Sequence, residues 1–333
     1  MKKNYLKSIF SVLTILLLLG CNTSPTTQNA HAQINLTEIL PENVDKLEKL
    51  FSMKGSTAVF LKNDQIALGS AADKIIRIRD LEKNIELKSF GNDKPVYGIK
   101  STSDGTLLVT LQFDGKLRLW DTATGSQSII FDNGDIILQS AAFSPEGNIL
   151  ATGWADKKVR IWDVNSRNLI NTLEGDKGWI FNIIFSTGGE LMAAGEGNGG
   201  SSIMIWNTEN WRKTHIFSGS QMDIHGLAFI KDNKILASGS KTLRLWSIEE
   251  NRQSDELPGH NYCLFGIKAS PNGLLLATTD NAGSVRLWDV ITKKCLFKKD
   301  LNIETSGVAF SPDGKMLAVS SFDNIIEVYG IKQ

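Results

Sequence analysis

Residues 143–163 read Phe143-Ser144-Pro145-Glu146-Gly147-Asn148-Ile149-Leu150-Ala151-Thr152-Gly153-Trp154-Ala155-Asp156-Lys157-Lys158-Val159-Arg160-Ile161-Trp162-Asp163. Ser-Pro-Glu-Gly is turn chemistry: Pro presets φ and Gly accepts positive φ at no steric cost. Val159-Arg160-Ile161-Trp162 alternates apolar and polar with period two, as a half-buried strand does. The pattern predicts strands over 138–143, 149–153 and 158–162, joined by tight turns.

Working outward, the same unit recurs. Its strand-ending slot is filled by Arg79, Trp120, Trp162, Trp206, Trp246, Trp288 and Tyr329, at intervals of 41, 42, 44, 40, 42 and 41 residues. Asp follows the Trp in Trp120-Asp121, Trp162-Asp163 and Trp288-Asp289. A turn marker keeps the same beat: Phe310-Ser311-Pro312-Asp313-Gly314, Ser270-Pro271-Asn272-Gly273, Ser103-Asp104-Gly105 and Phe185-Ser186-Thr187-Gly188-Gly189. Looser versions run Phe60 to Asp64 and Phe229 to Asn233. A period of roughly 40–45 residues with Trp-Asp predicts one four-stranded blade per repeat. The fold expected is therefore all-β, a seven-bladed propeller over residues 44–333.

On these residues the chain resembles the WD-repeat β-propeller family. An Asp six positions before the Trp slot, at Asp73, Asp114, Asp156 and Asp323, belongs to the same resemblance, and Gly259-His260 preserves the family's Gly-His once. The matching turn position there holds Ala282. The resemblance thus implies a His–Asp hydrogen-bond network that should be incomplete in this chain. It also implies that Trp120, Trp162, Trp206, Trp246 and Trp288 pack between blades and that the fold binds partners. The seventh unit lacks an outer strand, whereas a spare one lies around Leu47-Glu48-Lys49-Leu50-Phe51. Pairing the two would close the ring and remove exposed edges.

The N-terminus has a different composition. Lys2, Lys3 and Lys7 precede an apolar run from Ile9 to Leu19. Such a run spans ~16 Å as a helix, short of a ~30 Å bilayer core, and reads as a signal peptide over 1–20. Leu18-Leu19-Gly20-Cys21 resembles a bacterial lipobox, which implies lipidation at Cys21, a polar tether over 21–43 and an extracytoplasmic, membrane-anchored protein. Ala30-His31-Ala32 offers the alternative of simple secretion. The chain carries 36 basic and 36 acidic residues with no basic run, which speaks against nucleic acid as a partner.

Aligning the repeats singles out the position four residues before the Phe of the turn marker. It holds Ser56, Tyr97, Gln139, Phe181, His225, Phe265 and Ser306. In the family this position faces the narrow mouth of the central channel. Aromatic rings rimmed by polar groups are typical of interface hot spots. With Trp179, Tyr262, Trp154, Phe113 and Phe322 in the neighbouring loops, they form a candidate surface for an envelope protein or peptide; the alternative is that they simply plug the mouth.

Enzyme chemistry finds less support. The chain has four His and no Cys-x-x-Cys, His-Glu-x-x-His or Gly-x-Ser-x-Gly arrangement. Asn198-Gly199-Gly200-Ser201 lacks the Lys of a phosphate loop and reads as an enlarged turn. No metal or cofactor is implied. A hydrolase or lyase working on an envelope polymer or small ligand in the channel is the alternative reading. A second is attachment to a complex through the blade sides. Cys263 and Cys295 should lie three strand spacings, ~14 Å, apart, too far for a disulfide, and are expected to be free and mostly buried.

Overall fold

The computed structural model describes residues 35–218 and 222–333; the signal peptide, Cys21 and most of the expected tether lie outside them. Each repeat unit folds as anticipated. In the third, Leu138–Phe143, Ile149–Trp154, Lys158–Asp163 and Leu169–Glu174 form one antiparallel sheet in sequence order. Five other sheets follow the same order and the last does so for its three inner strands, with innermost strands Thr57–Lys62, Gly98–Ser101, Trp179–Phe185, Gly226–Ile230, Leu264–Ala269 and Thr305–Phe310. The inner strands pack side by side around a ring, and the seventh packs beside the first. The result is a seven-bladed propeller.

The turn marker works through its glycine. Gly105, Gly147, Gly189, Gly273 and Gly314 all have φ between 70° and 84°, a region that costs other residues steric strain. In the fifth blade Lys231, Asp232 and Asn233 adopt positive φ instead.

The hydrophobic core is divided by blade interface. Among the described residues there are seven buried clusters, one between each pair of neighbouring blades. Trp120, Trp162, Trp206, Trp246, Trp288 and Tyr329 each enter the cluster shared with the preceding blade. Four of the indoles also donate Nε1–H to a second-strand hydroxyl: Trp120 to Thr110, Trp162 to Thr152, Trp246 to Ser238 and Trp288 to Thr278, at 2.8–3.0 Å. In the fourth blade the position equivalent to Thr152, opposite Met204, holds Ala194 and offers Trp206 no hydroxyl. Arg79, in the first blade, instead bonds to Asn84.

The Asp positions hold turns. The Asp121, Asp163 and Asp289 carboxylates accept backbone N–H bonds from Thr124, Ser166 and Ile291 at 2.7–2.9 Å. Asp114 and Asp156 clamp Arg118 and Arg160 four residues on, with closest contacts of 2.6 and 2.7 Å. Asp73 does the same with Arg77.

Ring closure uses both ends of the propeller. Glu48–Lys54 pairs antiparallel with the final strand, Ile325–Lys332, as the outer strand of the last blade. The sheet begins earlier than residue 44, however. Leu36–Thr37 extends the same edge, pairing Leu36 with Lys332 and Thr37 with Ile331. Ile39 and Val44 bury themselves between the last two blades, so the end of the expected tether is part of the fold.

Two expectations are corrected. The His–Asp network of the sixth blade is complete. His260 Nδ1 lies 2.7 Å from Asp280 and Nε2 lies 2.7 Å from Thr278, which also accepts from Trp288. Asp280, eight residues before Trp288, takes the role expected at 282. It sits at the end of the second strand, where its other oxygen accepts the turn amides of Ala282 and Ser284 at 3.1 and 3.0 Å. Arg286, without a carboxylate at 282, donates to the Gly259 carbonyl. Cys263 and Cys295 are both free, as expected, but Cys295 is exposed and Cys263 half-buried. The outer strand that begins at Cys295 is the edge of its sheet, with no further strand paired to it among the described residues.

Candidate functional site

The inner strands enclose a central channel of about 920 Å³. Tyr97, Gln139, Phe181, His225, Phe265 and Ser306 line it at one mouth, where the inner strands begin. Pro145, Thr187 and Pro271, from the turn markers, line the other. Successive residues of each inner strand line the channel, so one repeat position becomes one ring of residues.

The rings at the first mouth touch in sequence. Phe181 stacks on His225 with centroids 5.1 Å apart, and His225 meets Phe265 at 4.6 Å. Trp179 packs edge-on against Phe181 at 6.3 Å, and Phe322 edge-on against Phe265 at 5.5 Å. The result is a five-ring arc across the fourth to seventh blades. Across the mouth, Tyr97 stacks on Phe113 at 4.1 Å. Offset and edge-to-face pairs at these separations contribute about 0.5–1.5 kcal/mol beyond burial.

Burial pushes the His225 imidazole below its usual range, against an opposing pull from Asp223. The ring is therefore neutral at pH 7, and the arc is an apolar surface. Polar bonds between blades hold its backbone. Asn182 donates to the His225 carbonyl at 2.7 Å, Ser140 to the Ile180 carbonyl at 2.9 Å, and Ser306 to the Ser56 carbonyl at 3.0 Å.

The mouth keeps much of its surface open. Tyr97, Phe113 and Phe322 are 45%, 57% and 53% exposed, and Tyr262 is 56% exposed in its loop. Trp154 does not belong to this surface. It is fully buried, bonds Thr152 through Nε1 at 2.9 Å and packs edge-on against Phe131. It ends the second strand pointing into the interface between blades, since its neighbours in that strand alternate toward the other side. Gln139 lines the mouth between Tyr97 and Phe181 without joining either ring contact.

A scan against family models matches the WD domain, G-beta repeat over residues 84–121, 130–163, 211–247, 251–289 and 302–329. The chain belongs to the WD-repeat family. Similar curated proteins include THO complex subunit 3 of Arabidopsis thaliana, 31% identical over 35% of this chain and 39% of that protein. Transcription initiation factor TFIID subunit 5 of Caenorhabditis elegans is 22% identical over 95% of this chain and 40% of its own length. A periodic tryptophan protein 2 homologue of Dictyostelium discoideum is 24% identical over 74% of this chain and 30% of its own. This WD-repeat chain thus spans well under two thirds of each of these relatives.

Among the described residues no group of three or more His, Cys, Asp or Glu could hold a metal ion, and no helix is long and apolar enough to cross a membrane. The channel lining contains one His and no Asp or Glu. Glu196 is a buried carboxylate that the sequence reading passed over. It accepts the amides of Asp176 and Lys177 at 2.6 and 3.0 Å and so braces the turn that carries them.

Proposed function

We propose that this chain is a lipid-anchored, extracytoplasmic propeller that binds an envelope protein or peptide at the aromatic mouth of its channel. The observation that carries the binding reading is the five-ring arc with exposed Tyr97 and Phe113 opposite it, on a backbone tied from blade to blade. Exposed rings that are already ordered lose little conformational entropy on docking. Several relatives are, by name, subunits of larger assemblies, which supports a non-catalytic role. The anchor reading rests on the apolar run and Leu18-Leu19-Gly20-Cys21.

Affinity capture from detergent-solubilised native membranes tests the binding site. The baits are the unmodified chain and a Tyr97→Ala, Phe113→Ala, Phe322→Ala variant, chosen because those rings are exposed and their loss spares the core. A partner retained by the unmodified chain alone supports the mouth; equal retention by both removes it. Metabolic labelling with palmitate, lost on Cys21→Ser, tests the anchor.

A second reading draws on the blade sides. Ile85 and Leu87, Ile129, Ile170 and Ile216 stand exposed on the outer strands of the first four blades. Apolar side chains on open edges are suited to a partner that covers the rim. Equal capture by both baits is the outcome this reading expects.

A further inference from the structure

Three residues below the aromatic ring position, the channel wall carries two lysines and no acid. Lys100 is three beyond Tyr97, and Lys268 is three beyond Phe265, so both sit at one level of the channel, on the second and sixth blades. Their counterparts on the first, third, fourth and fifth blades are Val59, Ala142, Ile184 and Ala228, all of which line the channel. The two ammonium groups thus stand in an otherwise apolar belt. Neither makes a hydrogen bond or ion pair within the described residues, whereas many lysines on the outside of the propeller do, such as Lys49 with Glu327 and Lys158 with Glu174. Among the described residues no Asp or Glu lines the channel.

Placing two unpaired like charges in a confined channel costs free energy unless a counter-charge joins them. The nearby polar groups are donors or neutral: Ser101, Ser140, Ser306 and Gln139. We propose that the channel is a binding site for a small multiply charged anion, a phosphate or a polycarboxylate, held between Lys100 and Lys268. The cavity, about 920 Å³, lies within the range of small-molecule sites. The charge state fits. Burial, with repulsion from Lys268, lowers the Lys100 pKa to about 8, and burial lowers that of Lys268 as well. Lys100 therefore remains largely an ammonium at pH 7, and a bound anion would favour that form. The site is independent of whichever protein docks on the mouth.

The test uses the full chain and two probes, inorganic phosphate and citrate, each at 10 mM against chloride of equal ionic strength. Thermal unfolding should shift upward by about 2 °C or more with the preferred anion. In a Lys100→Met, Lys268→Met variant the shift should vanish, while its melting temperature without anion rises above that of the unmodified chain. Phosphate alone active, or citrate alone, distinguishes the two chemistries. No shift with either, or the same shift in the variant, overturns the proposal. A second measurement needs no variant: acetylation by acetic anhydride at pH 8, read by mass spectrometry. Phosphate or citrate should slow labelling of Lys100 and Lys268 at least threefold and leave exposed Lys83 unchanged. Equal protection of all three, or of none, overturns the site.

Discussion

His260→Ala should destabilise the propeller by about 3 kcal/mol, and the structure sets that figure. The imidazole makes two buried hydrogen bonds, to Asp280 and Thr278, each 2.7 Å. Net values near 1 kcal/mol apiece account for about 2 kcal/mol. Leaving the Asp280 carboxylate short of a buried partner costs about 1–3 kcal/mol more, as unsatisfied buried groups do. Asp280 keeps its bonds from the Ala282 and Ser284 amides, which places the variant at the lower end. The assay is urea unfolding followed by tryptophan fluorescence. The pH dependence is diagnostic. Burial raises the Asp280 pKa, but the hydrogen bonds from His260, Ser284 and Ala282 outweigh it and hold the carboxyl below its ordinary range. A carboxyl depressed in the folded state contributes stability above its unfolded pKa of ~3.9, and that contribution is lost as pH falls through the folded value. The gap between the unmodified chain and His260→Ala should therefore be full at pH 6–7 and narrow below about pH 4. A loss under 1 kcal/mol at pH 7, or a gap that does not change with pH, would refute the reasoning.

Deleting residues 44–53 should abolish cooperative unfolding of the whole ring, because it bares the Ile325–Lys332 edge and removes buried Val44, Leu47 and Met53; circular dichroism that shows one blade lost and six intact would contradict it. Trp120→Phe should cost about 1 kcal/mol more than Trp206→Phe, since only the former removes an indole donor from a hydroxyl, leaving buried Thr110 with a long 3.5 Å bond from Gln112; equal losses in denaturant titrations count against this. His225 has a depressed pKa from burial, so its protonation is resisted in the folded state, and stability should decline as pH drops below ~6.5. His225→Phe should remove that component of the decline, as a pair of melting curves at pH 7 and 5 would show.

Period and turn chemistry were readable from the sequence because they are local. The strands of residues 138–163 appear within a residue of where the alternation of Val159-Arg160-Ile161-Trp162 and the Pro-Glu-Gly turn put them. The mouth ring was readable for the same reason, as one repeat position brought together seven times. What escaped was set by geometry across strands. Trp154 looked like a loop residue, yet the strand runs on through it and turns it inward. Asp280 replaced a motif residue from two positions away because a strand end and the following turn lie within reach of the same imidazole. The lysine pair needed a comparison of repeats one level deeper than the aromatic ring, where two charges break a run of Val, Ala and Ile.

The last blade is assembled from segments almost a whole chain apart: Glu48 pairs with Gly330, and the Gln333 amide donates to the Asn35 carbonyl at 3.1 Å. During synthesis the first six sheets can each form from contiguous sequence as it emerges. The seventh cannot, since its outer strand is made first and its partner last. Until Ile325–Lys332 has emerged, Glu48–Lys54 is an unpaired strand at one end of an open stack, and contacts this distant in sequence are slow to form. The nascent protein therefore carries an adhesive edge while the six other sheets emerge. Its survival depends on completing the last blade, or on a chaperone holding that strand, before another copy's strand adds to it.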